Sequence, residues 1–145
     1  MELFIDADGC PVTDIAVRLA AKYAVPCTIV CDTAHQMDRP DVRVITVSKG
    51  ADSADFALVN RIQPGDLVVT QDYGLAAMCL SRNAIPIHQD GMRYTEENID
   101  SLLFFRAAAK KIRNSGGRLK GPSRRTKAQD QAFEAALEVL LEGRN

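Results

Sequence analysis

The sequence predicts an α/β fold, a mostly parallel sheet covered on both faces by helices. Short apolar runs rich in β-branched residues alternate with segments whose apolar residues recur at helical spacing. The strands end near residue 88, and the remainder of the chain reads as helices. At 145 residues, 46% of them hydrophobic, the chain is long enough to bury one core without disulfide or metal staples.

Each element is justified by its own stretch. Leu3-Phe4-Ile5 is an apolar run closed by Asp6, the first strand. Pro11 suits the first turn of a helix, where its missing N–H costs nothing. Val12, Ile15, Ala16, Leu19, Ala20 and Tyr23 then mark one buried face. Strands are expected at about 26–31 and 42–47, then a helix over about 52–63 stopped by Pro64-Gly65-Asp66. Leu67-Val68-Val69-Thr70 is a further β-branched run. A helix over about 74–83 leads to the last strand, Ile85-Pro86-Ile87-His88. Thr95 is placed to cap a long helix through about Arg113, with Glu96 and Glu97 at its positive end. The stretch Gly116 to Thr126, rich in Gly, Pro and Arg, predicts a mobile segment. A closing helix from about Lys127 carries Phe133, Ala136, Leu137, Leu140 and Leu141 on one stripe, with Glu134, Glu138 and Glu142 opposite. No repeat or second domain is visible, so residues 1–145 read as one domain with a basic segment at about 106–127.

Composition excludes several classes. Nine Gly and six Pro argue against collagen and long disorder. No apolar run approaches the length of a bilayer span. The opening Met1-Glu2-Leu3-Phe4-Ile5-Asp6 has acids where a secretory signal needs bases, which points to a cytoplasmic chain. The four cysteines then read as thiols rather than a disulfide framework. Cys27 and Cys31 lie in a buried strand, and Cys10 reads as a packing residue, although a helix N-terminus favours thiolates.

The net charge of −1 hides a split. From Arg106 to Lys127 there are nine Lys/Arg and no Asp/Glu, while the rest of the chain sets nine bases against all 19 acids. Such an asymmetry suggests a polyanion-binding arm, with a solvated basic face as the plainer alternative. Arg118, Lys120, Arg124 and Arg125 are the candidates for phosphate contacts, because cationic side chains neutralise backbone phosphates and Arg forks match their oxygens. Tyr73 and Tyr94 read as core or rim packing rather than stacking platforms, and His35 and His88 as structural or solvated.

Ligands of an open parallel sheet bind beyond the carboxyl ends of its strands. There the first strand runs into Asp6-Ala7-Asp8-Gly9-Cys10, and the fourth into Thr70-Gln71-Asp72-Tyr73-Gly74. Asp52 and Asp55, three residues apart, share a face near the start of a helix. Asp6, Asp8, Asp52, Asp55 and Asp72 are thus expected to converge on one edge. Grouped carboxylates repel and raise one another's pKa unless a cation intervenes, and oxygen-only ligands select Mg²⁺ or Mn²⁺ over zinc. Such a cation activates water and neutralises a transferring phosphoryl group. Singly, Asp52 and Asp55 read rather as helix caps or loop acids. Asp6 reads as functional, because an acid closing an apolar strand is out of place without a partner. Asp72 does so less strongly, because it can also cap the helix that follows.

Three strings, Asp6-Ala7-Asp8-Gly9-Cys10-Pro11-Val12, Asp52-Ser53-Ala54-Asp55 and Thr70-Gln71-Asp72-Tyr73-Gly74-Leu75-Ala76, resemble those of the YaiI/YqxD family of small bacterial proteins. So does the tail, Gly121-Pro122-Ser123-Arg124-Arg125 with Asp130 and Phe133, and the resemblance spans essentially the whole chain. That family is in turn similar to PIN-like nucleases, which cut RNA or DNA with Mg²⁺ or Mn²⁺ held on acids at strand ends. The resemblance implies a three-layer, PIN-like (Rossmann-like) domain with C-terminal helices. It matches Asp6 to the first-strand acid, Asp55 to the helix acid and Asp72 to the acid of the Thr-x-Asp string. PIN nucleases commonly carry a further acid shortly after that string, whereas the next acid here is Asp90; Asp8 or Asp52 is then left to complete the set.

The sequence reading is therefore a divalent-metal-dependent nuclease or nucleic-acid-binding protein of the PIN-like type. Asp6, Asp55 and Asp72 are the expected metal ligands, and Asp8 or Asp52 the outer ligand or water-orienting acid. Two alternatives stand beside it. One is a non-catalytic nucleic-acid-binding module. The other is a phosphatase resembling the haloacid-dehalogenase type, with Asp6 as nucleophile. Against the latter, Cys10 stands where Thr or Ser is expected, and Gly65-Asp66 precedes its strand instead of following it.

Overall fold

A computed structural model describes residues 1–32, 39, 41–48, 53–116 and 124–143. In chain order its elements are β1 (Leu3–Asp6), α1 (Thr13–Lys22), β2 (Cys27–Asp32), β3 (Arg43–Val47), α2 (Ser53–Val59), β4 (Leu67–Val69), α3 (Tyr73–Ser81), β5 (Ile85–Ile87), α4 (Glu96–Asn114) and α5 (Lys127–Glu142). The five strands form one sheet in the order β3–β2–β1–β4–β5. Every pairing is parallel, with Leu3 opposite both Cys27 and Leu67 and Asp6 opposite Val30. This is a three-layer, Rossmann-like α/β arrangement with C-terminal helices.

Alternation along each strand divides the core in two. Leu3, Ile5, Ile29, Leu67, Val69 and Ile87 face α1 and α5, where they meet Ala16, Leu19, Phe133, Leu137 and Leu141. Phe4, Val30 and Val68 face the other way, onto Leu58 of α2 and Leu75 and Cys79 of α3. With both faces covered, the strands can be apolar throughout, which is why Leu67-Val68-Val69 shows no polar alternation. α4 packs on α3 through Ile99, Leu102 and Leu103, with the buried Tyr94 of the preceding segment in the same cluster. Beyond Leu103 most of its side chains are exposed, Phe104, Phe105 and Ile112 among them. No helix among the described residues is long and apolar enough to cross a membrane.

The element boundaries differ from expectation at a few points. α1 begins at Thr13, with Val12 as an N-cap that offers no side-chain bond, so Pro11 lies in the turn ahead of the helix. α2 ends at Val59 rather than near residue 63. Its last carbonyls are taken by tightened turns, with the N–H groups of Arg61 and Ile62 both donating to Leu58 O (3.0 and 3.2 Å), before Pro64-Gly65 arrives. The long helices start as expected. Thr95 and Thr126 each accept from the backbone three residues on, and Asn98 and Gln129 return the bond, two complete capping boxes. The stretch expected to be mobile, Gly116 to Thr126, falls mostly among residues outside the described ones.

Candidate active site

β1 and β4 are neighbours from which the strand order runs in opposite directions, β1 to β2 and β3 and β4 to β5. Loops leaving two such strands diverge, and a crevice opens beyond their carboxyl ends. Asp6 is the last residue of β1, and Thr70-Gln71-Asp72 comes directly after β4.

Thr70 ties the two ends together. Its Oγ1 donates to Asp6 Oδ2 (2.9 Å) and accepts the Asp72 N–H (3.0 Å). Thr70 is 1% exposed, and its carbonyl accepts the hydroxyl of the fully buried Tyr94 (3.0 Å). Asp72 is the N-cap of α3, with Oδ1 accepting from the N–H groups of Gly74 (2.8 Å) and Leu75 (3.2 Å). On the other side of Asp6 the chain turns at Gly9, whose φ of +72° is a left-handed value that suits glycine. Gln71 Nε2 donates across to Gly9 O (3.5 Å). Asp8 accepts the backbone N–H of Asp32 with both oxygens (3.3 and 3.2 Å), which docks the turn against the end of β2.

The result is a cleft of about 290 Å³ whose walls include five carboxylates, those of Asp6, Asp8, Asp32, Asp55 and Asp72, with Ser48 and Gln71 between them. The Asp6 carboxyl is perturbed. Burial pushes its carboxyl up to about 6, the Thr70 hydroxyl partly offsets this, and the charges of Asp55, Asp72 and Asp8 add to the rise. The chain therefore assembles negative charge here. On the rim of the cleft the guanidinium of Arg106 reaches Asp72 Oδ1 at 3.5 Å. Among the described residues, no three His, Cys, Asp or Glu side chains are grouped closely enough to hold a metal ion as they stand.

Of the acids singled out in the sequence, Asp6, Asp8, Asp55 and Asp72 meet in this cleft. Asp52 lies outside the described residues, as do Arg118, Lys120 and His35. Arg124 is exposed. Arg125 is engaged internally, donating from Nε to Asp130 Oδ1 (2.7 Å), from Nη1 to Asp90 Oδ1 (2.6 Å) and from Nη2 to Gln89 O (2.7 Å). It thereby fastens the start of α5 to the loop after β5. Asp66, the later acid weighed for a phosphatase, lies at the opposite edge of the sheet, where it accepts from Glu2 N (2.9 Å) and Gln63 N (2.8 Å). Cys10 packs against the core, and burial raises its thiol pKa, the reverse of thiolate activation. Burial lowers His88, which accepts the Asp90 N–H at Nδ1 (3.1 Å).

Sequence reading missed Asp32, Thr70 and Arg106. Asp32 had a signal, because it closes an apolar strand just as Asp6 does. Thr70 stood in the Thr-x-Asp string and Arg106 at the start of the basic run, but neither role was legible, since each depends on a partner, 64 and 34 residues away.

A family model described as "Uncharacterized BCR, YaiI/YqxD family" matches residues 4–143. Among similar chains is a "UPF0178 protein" of Exiguobacterium sibiricum, 52% identical over 141 residues, which cover 97% of this chain and 96% of the relative. Proteins of the same name from Ruminiclostridium cellulolyticum (46% identical, covering 97% and 92%) and Clostridium acetobutylicum (44%, covering 97% of each) are also similar. No solved structure matches the chain. With a family model spanning nearly all its residues and relatives aligned end to end, the chain belongs to the YaiI/YqxD family.

Proposed function

We infer that the cleft at the β1–β4 switch point is a divalent-cation-dependent phosphodiesterase centre of the PIN-like type, acting on nucleic acid. The observation that carries this is the convergence of Asp6, Asp8, Asp55 and Asp72, from three separate stretches of chain, on one cleft. The donor set is oxygen only, which suits Mg²⁺ or Mn²⁺. Among the described residues, the acids line the cleft without three of them closing on a point. That fits a cation that keeps several waters and takes only one or two carboxylates, with substrate oxygens beside them, as Mg²⁺ usually does. When bound, the cation would supply an activated water and neutralise charge on the phosphoryl group.

The chain's own residues have distinct tasks. Thr70 and the α3 N-terminus fix Asp6 and Asp72 so that their carboxylates need little reordering to meet a ligand. Asp55, in the first turn of α2, closes the opposite wall. Asp8, held on the Asp32 N–H, is placed to orient water. Asp52 remains a candidate ligand from the stretch preceding α2. Arg124, Arg118 and Lys120 are the proposed backbone contacts, whereas the internal ion pairs of Arg125 favour a structural role.

Calorimetric titration of the full chain with MnCl₂ tests the centre. A saturable heat that Asp6→Asn removes is expected, and a wild-type titration without heat overturns the metal reading. Incubation with single-stranded and branched RNA and DNA, then with p-nitrophenyl phosphate, separates the alternatives. Mn²⁺-dependent cleavage of nucleic acid supports the nuclease. Ester hydrolysis alone supports a phosphatase, and binding without turnover supports a recognition module.

A further inference from the structure

Beside the acidic cleft, and sharing Asp55 and Asp72 with it, lies a second cavity of about 300 Å³. Its remaining walls are Phe56, Gly74, Met78 and Arg106. Phe56 adjoins Asp55 on α2 but is 60% exposed, while Ala54, Ala57 and Leu58 of the same helix serve the core. A lone exposed phenyl ring is ordinary. This one instead walls a cavity together with a thioether and a guanidinium.

Arg106 is available to a ligand. Among the described residues its hydrogen-bond partner is Asp72, at 3.5 Å, and the two side chains are 57% and 39% exposed. A long, exposed ion pair of this kind contributes little. A Cβ at Gly74 would stand 3.3 Å from Asp72 Oδ1, a tight contact, and 3.6 Å from Arg106 Nη1, an ordinary one. Beyond Arg106, the exposed Lys110 and Arg113 stand at i+4 and i+7 on α4. They extend one cationic stripe away from the cavity, with steps of about 6 and 4.5 Å along the helix axis. No acid interrupts the sequence from Arg106 to Lys127.

We propose that this cavity is the subsite for one unpaired nucleoside of a single-stranded nucleic acid, with Phe56 stacked on the base, Met78 packed beside it and Arg106 on the adjoining phosphate. Lys110 and Arg113 receive the next phosphates along the strand. The inference rests on the acidic cleft being the place of phosphodiester cleavage, and it sets which nucleotide lies next to the cut. Single strands are the fitting class because only an unpaired base offers its face to a protein ring. The charges fit as well, for the neutral base lies by Asp55 and Asp72 while the phosphates run along α4.

Fluorescence anisotropy of the full chain with labelled oligo(dT), in EDTA and in MnCl₂, tests this alongside a gel assay for cleavage. Phe56→Ala is expected to weaken binding roughly 5- to 150-fold, the range for losing one stacked base. Phe56→Trp should preserve it, and Arg106→Ala should reduce the salt slope by about 0.7. Phe56 lies outside the core, so thermal melts of these variants should match the wild type. If the wild type cleaves oligo(dT) and Phe56→Ala binds and cleaves it equally well, the subsite is overturned while the cleavage centre stands. If binding depends on Phe56 but Mn²⁺ brings no cleavage, the subsite stands and the cleavage centre fails. A dimer seen in sedimentation that Phe56→Ala dissolves, without any effect on oligo(dT), assigns the surface to a second copy and overturns the proposal.

Discussion

At the end of β1 a carboxyl group that titrates at 3.8 in the open chain is pushed to about 6, chiefly by burial and then by its acidic neighbours. Between those two values the folded chain holds more proton than the unfolded chain, so this group's contribution makes stability fall as pH rises from about 4 to about 6. Above that window the penalty is constant, and below it the penalty is absent. Asp6→Asn removes the charge and can still accept from the Thr70 hydroxyl. In chelator, urea unfolding should therefore find the variant more stable than the wild type above pH 6, by up to about 3 kcal/mol for a shift of about two units. The gain should vanish near pH 4. A variant that is less stable at pH 7.5 would mean that Asp6 is satisfied by its surroundings. The acid itself was legible, because a carboxylate closing an apolar strand stands out in the sequence. Its hold on Thr70 was not, since nothing local marks a threonine whose hydroxyl serves two loops.

α5 illustrates what an element gains from its ends. Its apolar stripe, with Phe133, Leu137 and Leu141 fully buried, was readable from spacing alone, and full burial of each such side chain contributes about 1.5–3 kcal/mol. The bases just before the helix could not be sorted in the same way. A run of like charges looks uniform in sequence, and only the fold separates Arg124, which is exposed, from Arg125, which meets Asp90, Asp130 and a backbone carbonyl. Charge-assisted, partly buried contacts of this kind are stronger than exposed pairs. Arg125→Ala should therefore cost about 1–3 kcal/mol in urea unfolding, with two carboxylates left without their cation. Arg124→Ala should leave stability within about 0.5 kcal/mol, as exposed substitutions do. Equal losses in the two variants would contradict this division. Strand identities were legible for the same reason as the α5 stripe. The end of α2 was not, because the tightened turns at residues 60–62 stop it before the Pro64-Gly65 signal that the sequence displays.

Across the whole molecule, an acidic body and a basic segment meet where Arg106 touches Asp72, so a polyanion approaching the cleft is attracted by one field and repelled by the other. The two respond differently to salt. Monovalent ions screen attraction along α4, and each phosphate contact to a single strand should contribute about −0.7 to the slope of log affinity against log salt. A divalent cation in the cleft acts in the opposite direction, since it cancels the repulsion between the carboxylates and an incoming phosphate. At constant ionic strength, replacing NaCl with MgCl₂ should therefore raise the affinity of the wild type for oligo(dT), measured by anisotropy before any turnover. Asp72→Asn discriminates well, because Asn still caps a helix while removing one cleft charge. In this variant the gain from Mg²⁺ should shrink, while the NaCl slope, set along α4, stays as it was. If Mg²⁺ weakened binding in both proteins as NaCl does, the divalent ion would be acting as a screening ion alone, and the acidic walls would play no part in receiving the strand.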